Sequence, residues 1–243
     1  MEWIIVRDYE AMSEVAAKRI QERLSERPEL VLGLATGSTP IGVYARLVEA
    51  YRAGKISFAR ARAVNLDEYV GLSSDHPQSY AYFMREHLFG HIDMPPSAHD
   101  IPNGMAPDLE AECARYEAHI RALGGVDLQL VGIGTNGHIG FNEPGTPFTA
   151  RTHVVELTAS TREANARFFN SMEEVPTHAV TMGLGTIMEA REIILLASGA
   201  SKREAIRRLY DEAPNVDLPA SVLKEHPRVV VIVDEAAAEG ITK

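Results

Sequence analysis

Residues 126–145 read VDLQLVGIGTNGHIGFNEPG, and the fold turns on what the glycines in this stretch are for. Gly132, Gly134 and Gly137 keep the G-x-G-x-x-G spacing of a dinucleotide-binding loop, directly after an apolar run with the composition of a buried strand. Such a loop has to open a long helix, with an acidic residue about 20 positions on to meet the ribose. Glu156 stands near that distance. The intervening HIGFNEPGTPFTA, however, holds Gly140, Pro144, Gly145 and Pro147, which a helix interior does not tolerate. The crossover helix is missing and the fingerprint fails. What remains is a buried strand followed by a Gly-rich loop carrying Asn136, His138, Asn142 and Glu143, and no cofactor is expected.

Outward from this strand the same rhythm recurs in both directions. WIIV precedes a helical segment at about 9–27, LVLGLA a helix beginning near Pro40, and ARAVNL a helix at about 79–88. A helix at about 107–123, ended by Gly124 and Gly125, leads into the quoted strand, and THVVEL, EIILLAS and RVVVIVD follow it. Val-, Ile- and Leu-rich runs separated by helices predict a single α/β domain over residues 1–243 with a mainly parallel, doubly wound sheet. In such sheets ligands bind beyond the carboxyl ends of the strands.

Composition narrows the partners. The 243 residues are 45% hydrophobic, ample for a sizeable core, and 34 acidic against 24 basic residues give a formal charge of −10. With no basic run, neither nucleic acid nor an anionic membrane is expected as a partner, so any anion site has to be local. A single cysteine, Cys113, rules out an internal disulfide framework, and the N-terminus lacks a basic segment followed by a long apolar one. A soluble, cytoplasmic protein is the expectation, and a homo-oligomer is compatible with it. No uncharged window reaches transmembrane length.

Three strand ends carry unusual residues. In LGLATGSTPIGVYARLVEAY a strand runs into Gly37, Ser38 and Thr39 and then a helix, for which Thr39 suits the N-cap and Pro40 the first helical position. Free N–H groups, small hydroxyls and a glycine make either an anion cradle, most often for phosphate, or a plain capped turn. No Gly-Lys-Ser/Thr follows, so a nucleoside triphosphate is not indicated. In AVNLDEYVGL, Asp67 and Glu68 end an apolar strand; neighbouring side chains on extended backbone point to opposite faces, so at most one faces a cleft. That residue is a general base if desolvated and otherwise a solvated turn acid. In the loop 134–145, His138 and Glu143 are either an acid–base pair or backbone-bonded loop polars.

ATGSTP, NLDEYVGL, GTNGHIGFNEPG, STREANARFF and GASK, in this order and over essentially the whole chain, resemble the glucosamine-6-phosphate deaminase family. The related 6-phosphogluconolactonases share the fold and a similar phosphate loop, but DEYVGL and GHIGFNEP point to the deaminase branch. The resemblance implies conversion of the small-molecule sugar phosphate D-glucosamine 6-phosphate, with water, to D-fructose 6-phosphate and ammonia. It further implies that His138, supported by Glu143, opens the pyranose ring and that Asp67 carries the proton from C2 to C1 of a cis-enolamine. Gly37, Ser38, Thr39, Arg167 and Lys202 would contact the phosphate. Where some members have Asp, this chain has Asn136, which orients the imidazole without balancing its charge. Longer, allosterically activated members have basic residues after the FNEP loop; here Arg151 is kept, but His153 and Val155 replace the others and the sequence ends at Lys243. No activation by N-acetylglucosamine 6-phosphate is therefore expected.

Other features favour bland roles. His87 and His91 are four apart on an expected helix, but no metalloprotease carboxylate accompanies them and Gly90 intervenes, so no metal is expected. Cys113 lies among acidic neighbours in an amphipathic segment and packs rather than reacts. Trp3, Phe168 and Phe169 are expected in the core. Rival functions are a lactonase in which His138 activates water, and a sugar-phosphate-binding regulator that needs neither Asp67 nor Glu143.

Overall fold

In RVVVIVD, Val229, Val231 and Val233 pack into one hydrophobic cluster and Val230 and Ile232 into another. EIILLAS divides the same way, with Ile193, Leu195 and Ala197 on one side and Ile194 and Leu196 on the other. Two-residue periodicity with both faces apolar is the mark of a strand covered by helices on each side. Fully burying one such side chain stabilises the fold by about 1.5–3 kcal/mol.

The computed structural model describes residues 1–241. Its elements in chain order are β1 (Glu2–Val6), α1 (Tyr9–Glu26), β2 (Val31–Leu34), α2 (Ile41–Arg52), β3 (Arg62–Asn65), β4 (Asp67–Tyr69), α3 (Tyr80–His87), β5 (His99–Asp100), α4 (Leu109–Ala122), β6 (Leu128–Val131), β7 (His153–Glu156), α5 (Ala159–Asn165), β8 (His178–Thr181), α6 (Leu184–Met188), β9 (Glu192–Ala197), α7 (Arg203–Asp211), β10 (Val229–Asp234) and α8 (Glu235–Ala238). Seven strands form a parallel sheet in the order β1-β10-β9-β6-β2-β3-β5. Residues of α1, α2 and α3 cover one face, and residues of α4, α6, α7 and α8 the other.

From β2 the chain winds outward through β3 to β5, then returns to β6 on the other side of β2 and winds the opposite way through β9 to β10. The order therefore reverses between β2 and β6, and the crevice beyond their carboxyl ends is where doubly wound sheets place ligands. Two tyrosines hold neighbouring strand ends. The hydroxyl of Tyr44 donates to the carbonyl of Ala35 at 2.5 Å, and that of Tyr116 to the carbonyl of Asn65 at 2.5 Å.

Several expectations are corrected. THVVEL is a strand, but it lies outside the parallel sheet: β7 pairs antiparallel with β8, a strand not anticipated, and β8 pairs antiparallel with β4. These strands have three or four residues each and pair across 22 to 114 positions, so no local pattern announces them. Helix α2 starts at Ile41, with Pro40 and not Thr39 at the N-cap, and Pro40 makes no side-chain cap bond. Phe168 is 50% exposed, while Trp3 and Phe169 are partly buried against clusters. Helix α3 ends at His87, and His91 closes the separate turn after it, so the two histidines share no helical face. Cys113 is buried, as expected, with burial and the charges of Glu112 and Glu117 raising its thiol pKa. Among the described residues no helix is long and apolar enough to cross a membrane.

Candidate active site

Asp67 does not hang from the end of β3. The chain leaves β3 at Asn65, crosses at Leu66 and begins β4 with Asp67, directly opposite Thr181 of β8. Backbone N–H of Met182 donates to the carbonyl of Leu66 at 2.8 Å, which pins this crossing to the far end of β8. The two acids then part, as opposite faces of a strand require. Glu68 turns toward α3 and accepts backbone N–H groups of Tyr69, Tyr80 and Ala81 at 2.8, 2.9 and 2.9 Å, so it caps that helix together with Ser79. Asp67 turns the other way, and among the described residues it has no hydrogen-bond donor at all. Burial pushes its carboxyl up to about 8, and the charge of Glu68 adds to the effect.

Neither acid is a solvated turn residue: Asp67 is 7% exposed and Glu68 3%. Burial also raises the Glu68 carboxyl, against the pull of its three N–H donors. Tyr69 continues β4 into a small aromatic cluster with Tyr80, Phe141 and Phe169, which walls the strand that bears Asp67.

The Gly-rich loop after β6 folds back on itself. Gly134 N–H donates to the His138 carbonyl and Gly137 N–H to the Gly134 carbonyl, both at 2.9 Å. The imidazole lies on Gly134 so closely that a Cβ there would stand 2.1 Å from its Cε1. The glycine therefore serves the histidine rather than a pyrophosphate. Among the described residues no helix intervenes between β6 and β7, so the crossover helix of a dinucleotide fold is absent.

His138 is oriented through a short relay. Its Nδ1 lies 2.7 Å from Asn136 Oδ1, and Asn136 Nδ2 donates to Glu143 Oε2 at 2.8 Å. With its amide nitrogen committed to Glu143, Asn136 presents oxygen to the ring, which places the proton on Nδ1 and leaves Nε2 with its lone pair. Glu143 itself stands 3.7 Å from Nδ1. Burial lowers the His138 pKa; the charge of Glu143 opposes this and that of Lys202 reinforces it. The lowered pKa favours the neutral form of the ring.

Gly140 joins the two halves. It adopts φ of +58°, and a Cβ there would meet Thr181 Oγ1 at 2.9 Å and Asp67 Oδ2 at 3.6 Å, so the loop crosses directly over the carboxylate. Phe141 N–H donates to Thr181 Oγ1 at 3.2 Å, and the buried Asn142 amide donates to the carbonyls of Ile139 and Met182 at 2.9 and 2.8 Å. Thr181 and Asn142 thus fasten the histidine loop to the sheet of the acid. Asn142 was visible in the motif; Thr181 carries no sequence signal, because its part depends on a strand pairing between distant segments.

The residues expected to hold an anion lie across the switch point. Gly37 and Ser38 are exposed beyond β2, with Thr39 half-buried behind them. Lys202 follows β9, the neighbour of β6, and its Nζ donates to the Ile133 carbonyl at 2.6 Å, beside the histidine loop. Burial lowers its pKa. The turn before it is held by Asp234, which accepts from Ser198 Oγ at 2.5 Å and from Gly199 N–H at 3.0 Å. Arg167 is the exception among the expected residues. Its guanidinium lies over the exposed Phe168 ring, 4.6 Å from the centroid, and no hydrogen bond or ion pair joins it to the other members. Tyr9 is a second residue, after Thr181, that the sequence did not flag: its hydroxyl touches the Ser38 and Thr39 carbonyls and the N–H of Gly42.

Comparison with known proteins gives a concordant result. A family model described as glucosamine-6-phosphate isomerases/6-phosphogluconolactonase matches residues 8–232. The chain is 57% identical to a glucosamine-6-phosphate deaminase of Geobacillus sp. (strain WCH70) over 98% of its own length and 94% of the relative's. It is 52% identical to the deaminase of Bacillus velezensis, covering 99% and 100% of the two chains. A solved structure described as a monomeric glucosamine-6-phosphate deaminase superposes with a TM-score of 0.95 at 51% identity, covering 98% of this chain and 99% of that one. The 6-phosphogluconolactonase of Trypanosoma cruzi superposes with a TM-score of 0.82 at 22% identity over 100% of this chain and 97% of that one, a likeness of fold alone. The chain belongs to the glucosamine-6-phosphate isomerase/6-phosphogluconolactonase family.

Proposed function

We infer that the protein converts D-glucosamine 6-phosphate and water to D-fructose 6-phosphate and ammonia. The observation that carries this reading is a buried, donor-free Asp67 carboxyl, pushed up to about 8, directly beneath the loop that holds a neutral His138. Deamination by this route needs two proton transfers of different kinds. The first, between the anomeric hydroxyl and the ring oxygen, suits His138: Nε2 accepts one proton and returns it, while Asn136 keeps the other nitrogen engaged. The second moves a proton from C2 to C1 of the open chain, leaving a planar enolamine between the two steps. A carboxylate with a raised pKa is the stronger base for that abstraction, and a single carboxylate over one face of the plane serves both carbons. Water then adds to the resulting imine, and ammonia leaves.

Phosphate is gripped by the free N–H groups and hydroxyls of Gly37, Ser38 and Thr39, with Lys202 as the fixed charge. Arg167 completes the grip once its guanidinium leaves Phe168. Substrate binding and turnover at this site require no metal or organic cofactor in this scheme. Relatives that bear the deaminase name at 52–57% identity support the choice of reaction over lactone hydrolysis.

The test follows ammonia and fructose 6-phosphate together from purified protein given glucosamine 6-phosphate, with 6-phosphogluconolactone in a parallel reaction. Equimolar products are expected. Consumption of the lactone with an unchanged amino sugar overturns the reading in favour of a lactonase, and no change in either favours a binding protein.

Absence of allosteric activation is part of the same proposal. Arg151, the retained basic residue after the loop, is committed internally: Nε lies 3.2 Å from Glu117 Oε1 and Nη1 2.7 Å from Glu189 Oε1. Hyperbolic velocity curves, unchanged by N-acetylglucosamine 6-phosphate, are expected; a sigmoidal curve straightened by that compound contradicts this.

A further inference from the structure

We propose that the hydroxyl of Tyr9 is the group that positions the phosphate cradle, acting from a different helix; the inference rests on the reading of residues 36–39 as that cradle. Tyr9 is the first residue of α1, whose own start is capped by Asp8, so its side chain is free to reach α2. The hydroxyl donates to the Ser38 carbonyl at 2.8 Å, with the Thr39 carbonyl as an alternative at 3.1 Å, and accepts the Gly42 N–H at 2.9 Å. One O–H and one lone pair are thereby used on both sides of the same turn.

Three features make the contact specific. Helix α2 has proline at its N-cap and no side-chain cap bond, so the Tyr9 oxygen stands where a Ser, Thr or Asp cap would. The residue beneath the ring is glycine: a Cβ on Gly42 would lie 2.3 Å from Ser13 Oγ and a tight 3.0 Å from Tyr9 Cε1, so only the bare glycine lets Ser13 and the ring both keep their places. Finally, in a trans peptide the C=O and N–H point to opposite sides. Holding the Ser38 carbonyl toward Tyr9 turns the Thr39 N–H away from it, outward from the protein body, where an anion can accept it. Tyr9 is thus a positioning residue: it touches no substrate atom and acts through the orientation of the 38–39 peptide. Preorganisation of that donor strengthens binding and leaves the proton transfers alone.

The experiment compares Tyr9→Phe with Lys202→Ala and the parent, measuring kcat, KM for glucosamine 6-phosphate, the competitive inhibition constant of inorganic phosphate, and Tm. Tyr9→Phe is expected to raise KM and the phosphate inhibition constant by roughly 3–10-fold, the scale of one or two hydrogen bonds, with kcat within about twofold of the parent. A lower Tm with KM and the phosphate constant unchanged reduces Tyr9 to a helix cap and overturns the proposal. If Lys202→Ala weakens phosphate and Tyr9→Phe does not, the cradle stands and only the role of Tyr9 falls; if neither weakens it, the cradle reading fails and the proposal with it. Amide hydrogen exchange on the parent protein needs no variant. Gly42 should be protected without phosphate and Thr39 only with it; an unprotected Gly42, or a Thr39 indifferent to phosphate, is equally decisive against the proposal.

Discussion

Buried carboxylates meet opposite fates at the two ends of the parallel sheet. At the amino ends, Asp127 just before β6 accepts from Val31 N–H at 2.8 Å and lies 3.0 and 3.1 Å from the guanidinium groups of Arg27 and Arg191. Glu192, at the start of β9, faces Arg23 at 2.8 Å, Arg19 at 3.5 Å and Arg228 at 3.8 Å. Burial alone would push the Glu192 carboxyl up, but the hydrogen bond and charge of Arg23, with Arg228 and Arg19, hold it below the ordinary value. Beyond the carboxyl ends, Asp67 is as deeply buried, yet among the described residues it has no arginine partner and no donor, and the charge of Glu68 beside it has the same sign. Fully compensated acids hold an architecture together; an uncompensated one is a stored base. The difference locates chemistry at one end of the molecule without reference to any ligand.

The largest effect should come from Asp67→Asn. Loss of a general base lowers kcat by about 10²–10⁴-fold with KM little changed, measurable in the coupled assay for fructose 6-phosphate. The same variant should be more stable. An unfolded aspartate ionises near pH ~4, whereas Asp67 in the fold holds its proton to about 8, so folded stability falls as pH rises through that window. Removing the group lifts Tm most at pH 8 and hardly at pH 4, by roughly 2–4 °C for each kcal/mol recovered. A Tm equal to the parent's at both pH values would show that Asp67 is compensated like Glu192.

Glu192→Ala tests the other side of the comparison. It leaves three arginines without their shared acid, and because those arginines are partly exposed the loss is set at about 2–3 kcal/mol, read from urea unfolding. Turnover per folded molecule should be unchanged. A fall in kcat with intact stability would break the division between the two ends.

The pH profile is a subtler probe. With Asp67 as the proposed base, kcat/KM should climb toward an acid limb near pH 8, while His138, whose pKa is lowered, contributes no limb above its ordinary range. Glu68→Gln removes the like charge, so the limb should move to lower pH, with some loss of Tm from the weakened cap on α3. An unmoved limb would assign it to another group. The smallest effect concerns Asn136. Asn136→Ala frees both the ring and Glu143 and should cost about tenfold in kcat, whereas Asn136→Asp keeps the acceptor and should raise the His138 pKa, visible by NMR titration.

Much of this was legible in the chain. Six of the seven parallel strands announce themselves through Val-, Ile- and Leu-rich runs, whereas the edge strand β5, only His99–Asp100, has no such run and was not anticipated, and the failed dinucleotide fingerprint followed from proline and glycine spacing alone. Cys113 is buried as expected, and the polar residues around His138 do lie in an irregular loop after β6. The antiparallel sheet was not legible: DEY, HVVE and HAVT are short and half polar, and their pairings join residue 67 to 181 and 153 to 181. Phe168 was misplaced because an aromatic residue reads as core, whereas here its ring lies under the Arg167 guanidinium at the surface. Thr39 looked like a cap because nothing in the sequence says that a tyrosine 30 positions earlier supplies one.

By itself the sequence determined the sheet type, the alternation of strands with helices and the residue types that stand at the strand ends. Those are local matters, decided by side-chain volume, backbone freedom and periodicity over a few residues. Only the tertiary structure decided that Glu68 caps α3 while Asp67 stays bare, that Gly140 lays the histidine loop over that carboxylate, and that Tyr9 closes the start of α2. Each depends on which distant segments exclude water from a group and which fail to offer it a partner. A residue type states what a side chain is able to do; its desolvation and its neighbours, set by contacts across the whole chain, decide whether it does so near neutral pH.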